Sequence, residues 1–502
     1  MWHPLGMDKN PSQSSTQEQG IAHKLQGTVA QLETFRQDLY RHFSKRADTL
    51  MELVDALAGN TNARSPAELS LSALFRREYS SVYDGIENLF VVSDPEKAAE
   101  ERRTQERQLV GLIAGTLPQP QQRKFWLFGI DVTPIPRRFA ETLVDCKYIH
   151  QPNTLKGNKP VTIGHDASIL AALPEKEQPT DAPWVVPLNV RRVTSDEKAG
   201  QVGAEQIRLV MTNKNLPFHK ALCVNVEDSG YSGVPHLGEV ANIENLVTVA
   251  RLPGNRVVYR QPEPSAEGGQ PVGHPTWYGK PFKLKDPETW GPADEEAQTS
   301  FTTRKGRTYT VELQGWHDLV RRGKKDAPMY RHPFTLVRAR VLDADGNPIH
   351  KRDMWLLVIG KRRSELSLVE IWQAYGKRYD LEHFFRFGKQ RLLLTAFQTP
   401  EEKHEENWWQ IVQLAYVLLW LSRGVAVNLP NPWERYLPQA QNGIASPAAT
   451  QRGFERIIRQ IGTPAAAPKR RGNSPGRRKG TQIPHRERLA VVKKAAKQPV
   501  AT

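Results

Sequence analysis

Residues Trp372 to Gln390, WQAYGKRYDLEHFFRFGKQ, read as one amphipathic helix, and they limit what the chain can fold around. At 100° per residue, Tyr375, Arg378, Glu382 and Lys389 fall at about 0°, −60°, −20° and −40° on the helix wheel. A phenol, two cations and one carboxylate therefore share a strip roughly 60° wide. Beside it Ala374, Leu381, Phe385 and Leu392 form an apolar band at roughly −80° to −120°, which anchors the helix to a core. Arg378 and Glu382 alone would be an ordinary i,i+4 surface pair. Concentrated next to the buried side, the carboxylate is set to meet a metal ion and the cations to meet phosphate. Trp372, at about +60°, has two readings: core packing, or stacking on an unpaired base.

Upstream, Phe125 to Ile130 is a continuous apolar run ending in Asp131. In the strand candidate Ala221–Val226, Leu222, Val224 and Val226 alternate toward one face, and Asp228 continues that face as the strand ends. Each aspartate alone also suits a turn, since Thr133-Pro134 follows one and Ser229-Gly230 the other. Asp145, Asp166 and Glu227 are nearby competitors for the same role, and His165 reads either as a neighbour of a metal site or as a structural histidine.

The order Tyr, two residues, Arg, three, Glu, six, Lys resembles the Y-R-E-K signature of bacterial insertion-sequence DDE transposases of the insertion-sequence-4 group. Asp228-Ser229-Gly230-Tyr231 resembles that family's motif around its second aspartate. The resemblance covers residues 119–425. It implies a catalytic and metal-binding triad of Asp131, Asp228 and Glu382 holding two Mg²⁺ or Mn²⁺ ions. It also implies that Tyr375, Arg378 and Lys389 grip the phosphates and terminal nucleotides of a transposon end. The implied reaction is cut-and-paste transposition: metal-dependent cleavage of double-stranded DNA at the element's ends, then attack of the freed 3′-hydroxyl on target DNA. A homodimer on DNA, and commonly a hairpin intermediate, come with that family. Two rivals stand beside it: an RNase H-like nuclease or resolvase without strand transfer, and a domesticated DNA-binding regulator with an inactive core.

The expected fold is α/β, an RNase H-like mixed-sheet core interrupted by a β-rich insertion, with a helical N-terminal domain and a basic disordered C-terminal tail. The texture divides the chain into a disordered 1–22, a helical, DNA-binding 23–118, and core segments at 119–252 and 365–425 around a β-rich 253–364. A helical 426–465 and a flexible 466–502 follow. Ala140–His150, Pro160–Leu170 and Val247–Leu252 read as strands, Asp196–Met211 and Glu405–Ser422 as helices, and Ser367 with Glu370 as a capping box.

Lys and Arg outnumber Asp and Glu by 70 to 54, a net +16 that favours a polyanionic partner. From Ala466 onward eleven Lys or Arg face the single Glu487, so +10 of that excess belongs to the tail. Within it Arg477, Arg478 and Lys479, flanked by glycines, resemble arms that lie in DNA minor grooves, although a merely solvated tail fits too. Arg251 and Arg256 at the edge of the insertion are weaker candidates for phosphate contact. Cys146 and Cys223 lie in apolar runs, which points to a reducing, cytoplasmic setting near the nucleoid. No signal peptide is visible, and no apolar run reaches membrane length, Ile411–Leu421 being closed by Arg423. With no P-loop pattern, no nucleotide cofactor is expected.

Overall fold

Four helices open the fold: α1 (Pro11–His42), α2 (Ala47–Ala58), α3 (Tyr79–Glu87) and α4 (Ala98–Ala114). The computed structural model describes residues 11–151, 160–179, 181–262, 277–303, 305–324, 328–427, 444–469, 480, 482 and 485–493. Helix α1 therefore begins inside the stretch 1–22 expected to lack structure, because its backbone continues the ladder set by Leu32, Phe35 and Leu39, which are buried.

The sheet starts with β1 (Trp126–Pro136), β2 (Lys147–His150), β3 (Val161–Ala172) and β4 (Val186–Val193). Ala140–Cys146 is not strand: Asp145 takes φ 58 and turns the chain, leaving only four residues for β2. Strand β4 was not anticipated: Val186, Leu188 and Val190 do alternate with Pro187, Asn189 and Arg191, but a proline inside so short a run argues against a paired strand. Its proline is tolerated at the register shift opposite Leu170 and Ala171, on a strand whose sheet pairing is with β3.

Then come α5 (Ala199–Met211), β5 (Cys223–Glu227), α6 (Val234–Val240) and β6 (Leu246–Leu252). β3 runs antiparallel to β1, β5 parallel to β1, and β6 parallel to β5. Three antiparallel strands, a helix and two parallel strands on the other side of β1 fit an RNase H-like core. The next elements are a small hairpin of β7 (Val257–Tyr259) with β8 (Pro281–Lys283), then β9 (Glu295–Thr302), β10 (Thr308–Leu319), β11 (Phe334–Leu342) and β12 (Met354–Ile359). The last four do not form a sheet of their own. β12 returns antiparallel beside β6 and the sheet continues through β11 and β10 to β9 at its edge. On one face Phe282, Trp316 and Trp355 pack with Leu252 and Leu357 as a second, aromatic core.

The segment expected as a single helix is two: α7 (Leu368–Gly376), started by the Ser367–Glu370 capping box, and α8 (Tyr379–Arg391). Between them the backbone tightens to three-residue bonds, Arg378 N to Tyr375 O at 3.0 Å and Leu381 N to Arg378 O at 3.1 Å. Helix α9 (Glu402–Val427) follows, then α10 (Pro447–Ile461). By length and composition α9 could cross a membrane, but 78% of its apolar window is buried, against α1, α2, α3, α10 and β4. The tail was expected to be flexible, yet residues 485–493 run along the β2 edge. Leu489 N donates to Glu141 O and Val492 N to Cys146 O, both at 2.8 Å, while Arg486 pairs with Glu401 and Arg488 with Glu141.

Candidate active site

The parallel pairing of β1 with β5 has Ile130↔Glu227 as its last rung, so Asp131 and Asp228 are the next residues on two strands that part there. Asp131 is not at a strand end, as its apolar run suggested. β1 continues against β3 to Pro136↔Gly164, and it is the parallel neighbour that stops. Beyond Glu227 the chain turns, with the Asp228 carboxylate accepting from Gly230 N at 2.7 Å. Tyr231 anchors the turn: it is buried, and its hydroxyl lies 3.0 Å from Ser168 Oγ, which also donates to Gln206. Nothing in the sequence pattern singled out this tyrosine beyond the motif it closes.

Gly203 on α5 makes room for it, since a Cβ there would stand 2.6 Å from Tyr231 Cε1. Gly203→Ala is therefore expected to cost roughly 1–3 kcal/mol in denaturant unfolding, despite the higher helix propensity of alanine. Unchanged or increased stability would show that Tyr231 does not fix the turn.

The break between α7 and α8 places Arg378 over the two strands. Its Nη1 donates to Asp131 Oδ2 at 2.7 Å and its Nη2 to Glu382 Oε1 at 3.3 Å. Arg378 and Glu382 thus share one strip as expected, but the guanidinium lies between the acids. Among the described residues, no three Asp, Glu, His or Cys side chains converge as a ready-made metal cage. Burial, then the neighbouring Asp228 charge, pushes the Asp131 carboxyl up to about 6, while Arg378 and the Val132 N–H pull the other way. Hard oxygen donors held against like-charge repulsion are what a divalent cation relieves, so the acids fit that group in kind.

The other expected site residues divide. Tyr375 is buried beside Arg378, with its phenol raised chiefly by burial and held back by Arg378 and Arg251. Lys389 is pulled down to about 8 by burial, and the opposing charge on it is that of Asp166, not of the Asp131 group. Trp372 is partly buried and packs 5.6 Å from Phe301 of β9, which supports its core reading. Arg477, Arg478 and Lys479 lie outside the described residues.

The competing acids have other partners. Asp145 pairs with Arg192 and accepts from Ser195 N, Asp166 pairs with Lys147, and buried Glu227 meets His236 at 2.9 Å. His165 is structural, its Nδ1 lying 2.5 Å from buried Glu405. Both cysteines are free and buried, with thiols pushed by burial up to about 11 for Cys146 and about 12 for Cys223.

A comparison with curated proteins finds no match. The sequence profile of one family, described as DDE superfamily endonuclease, matches residues 38–322, more than half of the 502-residue chain. The matched stretch includes Asp131, Asp228 and the strands that carry them. With the RNase H-like order of those strands, it follows that the chain belongs to the DDE superfamily endonucleases, nucleases that act on DNA.

Proposed function

We propose that the chain is a cut-and-paste transposase of the insertion-sequence-4 kind, cleaving double-stranded DNA at the ends of its element and joining the freed 3′-hydroxyl to target DNA. The observation that carries this reading is the side-by-side pair Asp131 and Asp228, with Asp131 tied through Arg378 to Glu382. Asp131, Asp228 and Glu382 would hold two Mg²⁺ or Mn²⁺ ions. Bound there, such a pair supplies an activated oxygen nucleophile and neutralises charge on the crowded phosphate. Arg378 is a bidentate fork already desolvated over the acids, suited to take a phosphate in exchange for a carboxylate. Tyr375 orients that guanidinium from the buried side. Lys389 serves as a second, more distant point charge for the terminal nucleotides. A homodimer on the paired ends would complete the assembly.

A nuclease without strand transfer is the second reading, favoured by one observation: the family match ends at residue 322, before Arg378 and Glu382. The test is incubation of the full chain with Mg²⁺, a duplex carrying the terminal repeats that flank its gene, and a supercoiled target. Joined products are expected. Cleaved ends that never join would select the nuclease instead.

A further inference from the structure

A second surface begins at the turn after Asp228. The Ser232 carbonyl accepts from Arg321 Nη1 at 2.5 Å, and Arg256 stands close enough to Arg321 to help burial lower its pKa to about 10. Val320, next in the chain, exchanges two backbone bonds of 2.8 Å with Tyr259 of β7. Arg322 then lies 4.9 Å above the Tyr259 ring and 6.0 Å from that of Tyr278, the two rings being 5.4 Å apart. Tyr278 is held in place by Gly323 N, which donates to its hydroxyl at 3.3 Å. Next to it Trp277, 39% exposed, stacks on Tyr330 at 4.1 Å and 19°, and Arg331 caps the Tyr330 ring at 5.5 Å.

Arg251, Arg256, Arg322 and Arg331 are exposed, and none is paired with a carboxylate among the described residues. Arg192, by contrast, is neutralised by Asp145, Glu402 and Glu406. Exposed guanidiniums without acids are phosphate donors kept free. The exposed Trp277 and the half-buried tyrosines beside it, backed by guanidiniums, add something a duplex cannot use, because its bases are already stacked on one another.

We propose that this strip of arginines and aromatic rings, from Arg256 through Arg322 to Trp277 and Tyr330, binds a single strand of DNA where it leaves the acidic site. The inference rests on reading Asp131 and Asp228 as the place of phosphodiester cleavage, where strands are separated. Arginines along the strip follow the backbone, and the Trp277 and Tyr278 rings receive unpaired bases.

The test uses the full chain in EDTA, so that binding is read without cleavage. Fluorescence anisotropy is measured with a labelled oligothymidine and, separately, with a blunt duplex hairpin of equal length. Arg322→Ala and Trp277→Ala are each expected to weaken single-strand binding by about tenfold, and duplex binding by less than about twofold. Arg331→Ala, also at an exposed position, serves as the second variant should either fold poorly, and circular dichroism melting checks all three. Single-strand affinity equal to wild type in folded variants would overturn the proposal. An equal loss on both probes would also overturn it, since the strip would then be a general polyanion surface. If wild-type protein with Mg²⁺ cuts no DNA yet the variants lose single-strand binding selectively, the cleavage reading fails and the strip stands.

Discussion

Asp131→Asn is expected to lower metal-dependent DNA cleavage by about 10³-fold or more while leaving DNA binding within about twofold, because electrophilic stabilisation worth several kcal/mol is lost and the surface charge barely changes. Asp228→Asn should behave alike, since the two acids occupy equivalent positions past the last rung of the β1–β5 pairing. A second readout separates this from simple damage to the fold. Burial and the Asp228 charge raise Asp131 from 3.8 to about 6. The folded state therefore holds a proton that the unfolded state releases earlier, so stability attached to this group is full below about pH 4 and lost as pH rises through about 6. In EDTA, wild-type unfolding free energy should fall across that window by something on the order of 2–3 kcal/mol, and Asp131→Asn should not share the slope. Part of the gain at neutral pH is offset by the lost ion pair with Arg378. Cleavage that survives Asp131→Asn would remove Asp131 from the site, and parallel pH slopes would remove the electrostatic account.

The elements of the candidate site differ in how far their sequences disclose them. Asp228 follows a short alternating strand and opens a glycine turn, and that local pattern matches what the backbone does. The apolar run before Asp131 marks where β1 is covered on both sides, and what ends there is the neighbour β5 rather than the strand. The strip on residues 372–390 assumed one unbroken helix. The turn at Lys377–Arg378 changes the angle between its halves and so shifts Tyr375, while Arg378, Glu382 and Lys389 stay on α8, where Lys389 lies about 10 Å further along the axis and meets the charge of Asp166. Gly376, the last residue of α7, is the one local signal for the break; Lys377 and Arg378 both keep right-handed helical angles and only the bonding pattern shifts. β4 escaped because its polar residues serve long-range partners, Asn189 meeting Gln206 and Arg192 meeting α9, which composition cannot anticipate. The same holds for the insertion, whose strands look self-contained until β12 is seen beside β6.

Glu405→Gln is expected to destabilise the fold by about 3–5 kcal/mol, the usual result of removing one member of a buried ion pair. Glu405 is buried in the first turn of α9, where the positive end of the helix dipole favours a carboxylate. It ion-pairs with Arg137, at the end of β1, and with His165 on β3. Arg137 is buried too, and its remaining contacts are carbonyls, Thr395 O at 3.1 Å and Pro136 O at 3.4 Å. Without Glu405 a guanidinium charge would stay in the core with no counter-charge. The same contact joins the strand that carries Asp131 to the helix behind it, so the loss would reach the site through β1. Urea unfolding followed by tryptophan fluorescence measures the effect. The double variant Glu405→Leu with Arg137→Met should recover most of it, because two apolar side chains leave no buried charge behind. A loss under about 1 kcal/mol for Glu405→Gln, or a double variant no better than the single, would mean that water reaches Arg137 and that the α9–β1 junction is held by packing alone.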